Sequence, residues 1–566
     1  MNKVIIIGWD GATFDIIRPM VAEGKLPNVA RLMRAGAQGE LRSTMPPMTF
    51  PAWSSFMTGK NPGKHGIFDF TEHKPGTYEV QFVNAKRRAG KTLWQILSDA
   101  GKRVCVMGVP VTFPPDPING VMICGFESPG AGGAVDENAV YPPELLAELN
   151  QKLGGYRASA QIKKDVEQNN LGVALNKILD TIESKARTAL YLFEKEEWDC
   201  FMVLFGESDL AGHYFWRYHD PQSPRYDPTA PDNWKNAMRV VYEKLDEVVG
   251  RFISRIPHPA SVVVMSDHGF GGTGNKILHV NRWLEQEGFL AFRQCNAWQR
   301  TKTATLNAAK MAALKFLPAW VRRELFRRRS KELVSRAESF LRFGDIAWQK
   351  TQAYAEENPY YPAIWLNVKG REPQGVVEPG ADYERVRRRL IERLSSWRDP
   401  QTGAPIVEAV WRREEIYHGD CVERAPDLVV KWALDGGYNY AYRPSRQGKL
   451  PVETLSAAEL NGVGFRNKNG NHRDDGILIM AGEAVKEGER LIGANVVDLA
   501  PTILHLLDVP IPDDMDGRVL TEALSTTKAV TTIKADDSED NQFEEAYTAE
   551  ESEKVKETLR GLGYID

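Results

Sequence analysis

Residues 261–270 read SVVVMSDHGF. The short β-branched run 262–265 predicts a buried strand. It ends in Asp267 and His268, an anionic oxygen donor and an imidazole at the strand's carboxyl end. In open α/β sheets ligands bind at that edge. Neighbouring side chains on a straight strand diverge, so the pair either serves two adjacent ions or bends toward one from a turn.

Four other segments offer partners. Asp10 closes the apolar run of VIIIGWDG, where Gly11 permits close approach. It suits a metal or phosphate site, or starts a turn or caps the next helix. Asp209 and His213 lie in LFGESDLAGH. At i and i+4 of a helix they share a face and can chelate one ion; otherwise they are a capping Asp and a surface His. His219, in RYHD, is a weaker candidate of the same stretch. Thr49, in PPMTFPAWSSFMTG, precedes a helix expected to begin at Pro51, with Phe50 near the cap. A helix N-terminus favours bound phosphate, and a hydroxyl activated there can attack phosphorus. Ser43, Thr44, Ser54, Ser55 and Thr58 compete for that role, or all are ordinary turn hydroxyls. His472, in NKNGNHRDDGILIMAG, stands before a strand. It reaches the same edge only if that strand runs antiparallel.

The elements that must position these residues alternate. Strands are expected at 4–8, 103–107, 200–205, 261–265 and 477–480, helices at 14–35, 91–100, 176–193 and 234–256, and core-like segments at 362–368 and 476–481. This rhythm predicts an α/β fold with a mostly parallel sheet and helices on both faces. At 566 residues the chain exceeds an ordinary single domain. Residues 1–290 and 351–525 are expected to form a discontinuous core. Between them, 291–350 read as a helical cap, with thirteen Lys/Arg against four Asp/Glu over 296–350. That cap attracts an anionic substrate or an anionic membrane surface, or is a solvated face with local acidic partners. Residues 526–566 read as an acidic, poorly ordered linker and a terminal helix with Gly561 near its C-cap.

Net charge of −4 gives no electrostatic case for nucleic acid. Five dispersed cysteines argue for free thiols in a reducing compartment. No apolar run reaches transmembrane length and the N-terminal run is too short for a signal peptide, so a cytoplasmic protein is expected.

Taken together, IIIGWDG, TFPAWSSFMTGKNPGKHGI, SDLAGH, SDHGF, GNHRDDG and NVVDLAPTILHLLDVPIPDDMDGRVL resemble the alkaline phosphatase superfamily. Within it, they resemble the type I phosphodiesterase/nucleotide pyrophosphatase family. The resemblance spans about 10–520 and implies an alkaline phosphatase-like three-layer sandwich. It also implies two zinc ions, with manganese as the alternative. Asp10, Thr49, Asp267 and His268 would hold one; Asp209, His213 and His472 would hold the other. The implied reaction is hydrolysis of a small phosphate ester through phosphothreonine at Thr49. A phosphomonoesterase or a phospho-group transferase on the same site is the alternative, and a non-catalytic binding protein is a third. Two departures bear on substrate. Ala52 stands where the family often has Asn, and no Asn follows His65-Gly66-Ile67 closely. A phosphate contact is then expected from elsewhere, such as the backbone amide of Phe50.

Overall fold

The computed structural model describes residues 3–130, 133–293, 343, 345–358, 360–456, 459–460, 468–526, 528–535 and 546–562. A nine-stranded sheet forms its centre. Its order is Arg490–Asn495, Gly36–Arg42, Asp475–Gly482, Ala260–Met265, Lys3–Trp9, Cys200–Phe205, Val104–Met107, Gly120–Ile123 and Val140–Tyr141. Neighbouring strands from Ala260–Met265 to Gly120–Ile123 are parallel. Asp475–Gly482 runs antiparallel to both of its neighbours, and Val140–Tyr141 runs against Gly120–Ile123. The expected mostly parallel sheet is present, with these two reversals.

The central strands are apolar because both faces are covered. Every residue of Cys200–Phe205 and Ala260–Met265 is buried, as a parallel sheet between helices requires. Leu171–Lys195, Glu207–His219 and Ala237–Ile253 pack with one another as one helical group. Thr49–Thr58, Leu93–Asp99 and Leu499–Leu506 form a second group against the sheet.

Within 351–525 the chain also builds a second lobe that the sequence reading did not separate. Ala353–Glu356, Ala363–Leu366, Leu428–Trp432 and Val407–Arg412 make a four-stranded antiparallel sheet. With helix Ala381–Ser395 it encloses its own apolar cluster, including Ile364, Leu366, Leu390, Leu394 and Leu428. The long strand Gly269–Leu278 joins the lobes. Its start pairs with Gly470–Arg473, and its end pairs with Val452–Thr454 and Asn439–Tyr442.

Residues 14–35, expected as one helix, are two: Phe14–Ala22 and Pro27–Ala35. Gly24 at φ +73° turns the chain and Pro27 starts the second helix. Most of the expected basic cap, and with it the membrane contact assigned to it, lies outside the described residues. So does 536–545 of the acidic linker. The linker's described part is partly paired, since Thr532–Ile533 adds to Ile511–Pro512. The last described segment, 546–562, is packed. Tyr547 stacks on Phe113, and Val555, Leu559 and Leu562 are buried in the main core. Gly561 lies in the last turn of helix Ala549–Leu562, near its end as expected. Among the described residues no helix is long and apolar enough to cross a membrane.

Ile5 sits on the central strand and is fully buried, whereas Ile492 on the edge strand is 81% exposed. Ile5→Ala is expected to cost about 2–5 kcal/mol in urea unfolding. Ile492→Ala is expected to change stability by no more than about 0.5 kcal/mol. Equal effects would contradict the placement of the core.

Candidate active site

Three adjacent strands deliver most of the site. Asp10 directly follows Lys3–Trp9. Asp209 and His213 lie on Glu207–His219, the helix that leaves Cys200–Phe205. Asp267 and His268 form the turn after Ala260–Met265. His472 comes from Gly470–Arg473, opposite Phe270 in antiparallel register. The strand after it, Asp475–Gly482, runs against the parallel strands. Its beginning therefore lies at their carboxyl edge, which satisfies the condition set for His472. Thr49 opens helix Thr49–Thr58.

All seven side chains are buried and they converge. Asp209 Oδ1 lies 3.4 Å from His213 Nε2 and 3.2 Å from His472 Nε2, and the two Nε2 atoms are 3.2 Å apart. His268 Nε2 lies 3.5 Å from Asp10 Oδ1, 3.3 Å from Asp267 Oδ2 and 3.4 Å from Thr49 Oγ1. The His268 and His472 rings stack at 3.8 Å and join the two groups. Donor atoms of Asp10, Asp267 and His268 lie within 4.8 Å of one another, as do those of Asp209, His268 and His472. His268 thus stands between the two halves.

Local structure fixes each donor. The Asp267-His268 turn bends both side chains inward, with Ser266 Oγ donating to the carbonyls of His268 and Ala12. Gly11, at φ +63°, donates its amide to Asp267 Oδ1 at 3.2 Å. Trp53 Nε1 donates to Asp10 Oδ2 at 3.0 Å, and Ser208 Oγ to the Asp10 carbonyl at 2.6 Å. Helix and strand meet closely at Gly212 and Gly470. A Cβ on Gly470 would fall 2.4 Å from the Gly212 carbonyl oxygen. Each imidazole faces a backbone carbonyl through Nδ1: His213 to Gly470, His268 to Gly269 and His472 to Pro47, at 2.9–3.0 Å. A carbonyl only accepts, so Nδ1 carries the hydrogen and Nε2 presents its lone pair inward. That is the tautomer a metal ligand needs.

The charge balance points the same way. Burial, then the charges of Asp267 and Asp209, pushes the Asp10 carboxyl well above its ordinary range. Burial likewise raises Asp267, with Asp209 adding to it against the Gly11 amide. Burial drives His213 far down and holds His268 at about 3, so neither imidazole supplies a counter-charge at neutral pH. Asp10 Oδ1 and Asp267 Oδ2 are buried without a hydrogen-bond donor. Orphaned carboxylate oxygens facing imidazole lone pairs fit divalent cations.

The other candidates separate from the site. His219 ends its helix and packs near Trp216. Ser55 Oγ pairs with His65 Nε2 at 2.9 Å, Thr58 bonds back to the Ser54 carbonyl, and Thr44 bonds to the Pro46 carbonyl. Pro51, expected as the first helical residue, is the third. The helix begins at Thr49 with Met48 as its cap. Its first intrahelical bond runs from Ala52 to Met48, so the Thr49 and Phe50 amides precede that bond at the N-terminus. The Phe50 ring is buried against Phe70 and Phe126. Sequence reasoning missed Trp53, Ser208 and above all Tyr360. The Tyr360 ring lies 4.8 Å from that of His472 and 5.4 Å from that of His213. Its local sequence, ENPYYPA, carries no periodic signal that ties it to the site.

Comparison with known proteins accords with this geometry. The model of the type I phosphodiesterase/nucleotide pyrophosphatase family matches residues 4–472. The chain belongs to that family. It is therefore a phosphodiesterase/pyrophosphatase-type phosphoester hydrolase of the alkaline phosphatase superfamily, in a metal-dependent family. No curated protein sequence matches it. Among solved structures it is similar to phosphonoacetate hydrolase from Sinorhizobium meliloti 1021 in complex with phosphonoformate. That match has a TM-score of 0.50 and 14% identity, and covers 90% of this chain and 95% of the other. It is also similar to human ectonucleotide pyrophosphatase/phosphodiesterase 5, with a TM-score of 0.47, 12% identity, and 93% and 100% of the two chains covered. The first of these likenesses supports the alkaline phosphatase-like fold.

His65 ties the Thr49–Thr58 helix to the following loop, also accepting the Ile67 amide through Nδ1. Burial, with Arg88 adding to it, holds it at about 3 in the fold, against 6.5 ordinarily. Between those values the unfolded chain takes up a proton that the fold refuses. The stability His65 contributes is therefore lost as pH falls from 6.5 toward 3. His65→Gln is expected to flatten the slope of unfolding free energy between pH 4 and 6 by about 1.4 kcal/mol per pH unit. Identical slopes in urea titrations would show that His65 is protonated in the fold.

Proposed function

We propose that the chain hydrolyses phosphodiester or phosphoanhydride substrates through a phosphothreonine at Thr49, in a site that holds two divalent cations, zinc in the first place. The observation that carries this reading is the convergence of three carboxylates, three inward Nε2 lone pairs and one hydroxyl in a buried patch. Asp10, Thr49, Asp267 and His268 would hold one ion, and Asp209, His213 and His472 the other. Mixed carboxylate and imidazole donors suit zinc, and manganese is the alternative. When bound, the ions would acidify the Thr49 hydroxyl and a water molecule and offset charge on the phosphoryl oxygens.

The chain's own groups order the reaction. The Thr49 oxygen bonds to phosphorus while the bond to the leaving oxygen breaks, and that oxygen departs with the electron pair. Water then displaces the Thr49 oxygen and restores the hydroxyl. The N-terminal amides of helix Thr49–Thr58, Phe50 among them, suit a non-bridging phosphoryl oxygen. Burial of the whole constellation keeps bulk water from the phosphorylated threonine. A cytoplasmic location belongs to the same proposal, supported by four buried free thiols among the described residues.

Thr49→Ala is expected to lower turnover of bis(p-nitrophenyl) phosphate at least a hundredfold, while zinc content falls much less. Acid-quenched wild-type enzyme should carry one phosphoryl group on Thr49, read by peptide mass spectrometry. Full activity in Thr49→Ala would remove the nucleophile assignment.

A further inference from the structure

Beside the half of the site that holds His213 and His472, two segments bring one phenol and one ammonium together. Tyr360 comes from the second lobe, just after Ala353–Glu356. Its ring is 1% exposed and lies against His472, His213 and Phe70. Lys468 comes from the segment that leads into His472. Its Nζ donates to the Tyr360 hydroxyl and stands 4.0 Å from the centre of that ring. The same Tyr360 ring thus touches the ammonium and lies against the two imidazoles.

Both residues are anchored through their backbones. The Tyr360 amide donates to Asn358 Oδ1 at 3.0 Å, and Asn358 Nδ2 donates to Asp69 Oδ2 at 2.8 Å. The Lys468 carbonyl accepts from Arg225 at 3.0 Å, and the next amide, Asn469, donates to the His213 carbonyl at 2.7 Å. Asn469 also holds Tyr214 and Arg217 through its side chain. The side chains are thus carried by fixed points on the same framework as the imidazoles. Lys468 also contributes to the lowering of His213, behind burial, so its charge is felt inside the site.

This placement has a direction. Thr49 stands beside His268, in the half with Asp10 and Asp267. In-line displacement sends the leaving group away from the nucleophile, toward the half with Asp209, His213 and His472. Tyr360 and Lys468 border that half. From this we infer that Lys468, positioned by Tyr360, contacts the leaving portion of the substrate and selects leaving portions that carry ionised oxygens, such as a phosphate, over uncharged aryl or alkyl groups. The Lys468 side chain offers three donors at the end of a flexible stem. Its hydrogen bond to a phenol can be exchanged for one to an anionic oxygen at little cost, because a bond between two opposite charges is stronger than one from the ammonium to a neutral hydroxyl. The Tyr360 ring keeps the ammonium near the imidazoles while that exchange takes place. The inference rests on the phosphothreonine reading of the site, and it accounts for a phosphate-binding contact in a chain that lacks the family's Asn after His65-Gly66-Ile67.

The test compares two substrates in the full-length protein. ATP leaves an ionised pyrophosphate when cleaved at its α-phosphorus. Bis(p-nitrophenyl) phosphate leaves a group that bears no ionised oxygen before cleavage. Lys468→Met is expected to lower kcat/KM for ATP tenfold or more and for the aryl diester less than threefold. Lys468→Arg should recover most of the loss. Tyr360→Phe should reduce the preference for ATP partway, by loosening the ammonium. In the Thr49→Ala background, Lys468→Met should weaken ATP binding, read by calorimetry, by a similar factor. Equal losses on both substrates, or unchanged ATP turnover and binding, would overturn the assignment to Lys468. Wild-type turnover of neither substrate, or full turnover of both by Thr49→Ala, would instead overturn the reading of the site on which it rests.

Discussion

Three carboxylates, Asp10, Asp209 and Asp267, are buried within one patch at the edge of the sheet, and water does not reach them. Donor atoms of Asp10 and Asp267 are within 4.8 Å of each other. At an effective dielectric near 20, two such charges repel by on the order of 3–4 kcal/mol. The imidazoles of His213 and His268 are kept neutral by their own burial and do not relieve this. Hydrogen bonds from Gly11 and Trp53 each satisfy one oxygen of Asp267 and Asp10 and leave the other without a donor. Divalent cations would resolve this imbalance while keeping the groups in place.

The architecture is arranged around that constraint. Adjacent parallel strands place Asp10, Asp209 and Asp267 side by side. The reversed strand Asp475–Gly482 brings His472 to the same edge from the opposite chain direction. Three backbone carbonyls fix which imidazole nitrogen faces inward. The strand Gly269–Leu278 then carries the constraint outward into the second lobe. There Lys276 bonds to Asp399 at 2.9 Å and Asp435 at 3.0 Å. In this way the lobe that contributes Tyr360 is held in register with the strand that begins just after His268.

Much of this was legible in the residues. Valine-rich runs before Asp267 and after Lys3 marked central strands, because only strands buried on both faces can be continuously apolar. The carboxyl-edge rule then gave Asp10, Asp209 and Asp267 a common location. His472 was different. Strand direction is a property of chain reversal through distant connections, and GNHRDDG contains no local sign of it; only the family resemblance recruited that residue. The second lobe went unseen because its strands are short, four to six residues each, and its two strand pairs meet only through the distant pairing of Ala363–Leu366 with Leu428–Trp432. Tyr360 and Lys468 were invisible for the same reason. Their meeting depends on how the two lobes pack, not on spacing along the chain.

The most direct measurement is metal content. Wild-type protein dialysed against zinc and then against metal-free buffer, analysed by inductively coupled plasma mass spectrometry, should retain two ions per chain. A double substitution, Asp10→Asn with Asp209→Asn, should retain fewer than one while remaining folded by circular dichroism. A folded wild-type chain that retains no zinc or manganese, or a double variant that retains as much as the wild type, would contradict the account.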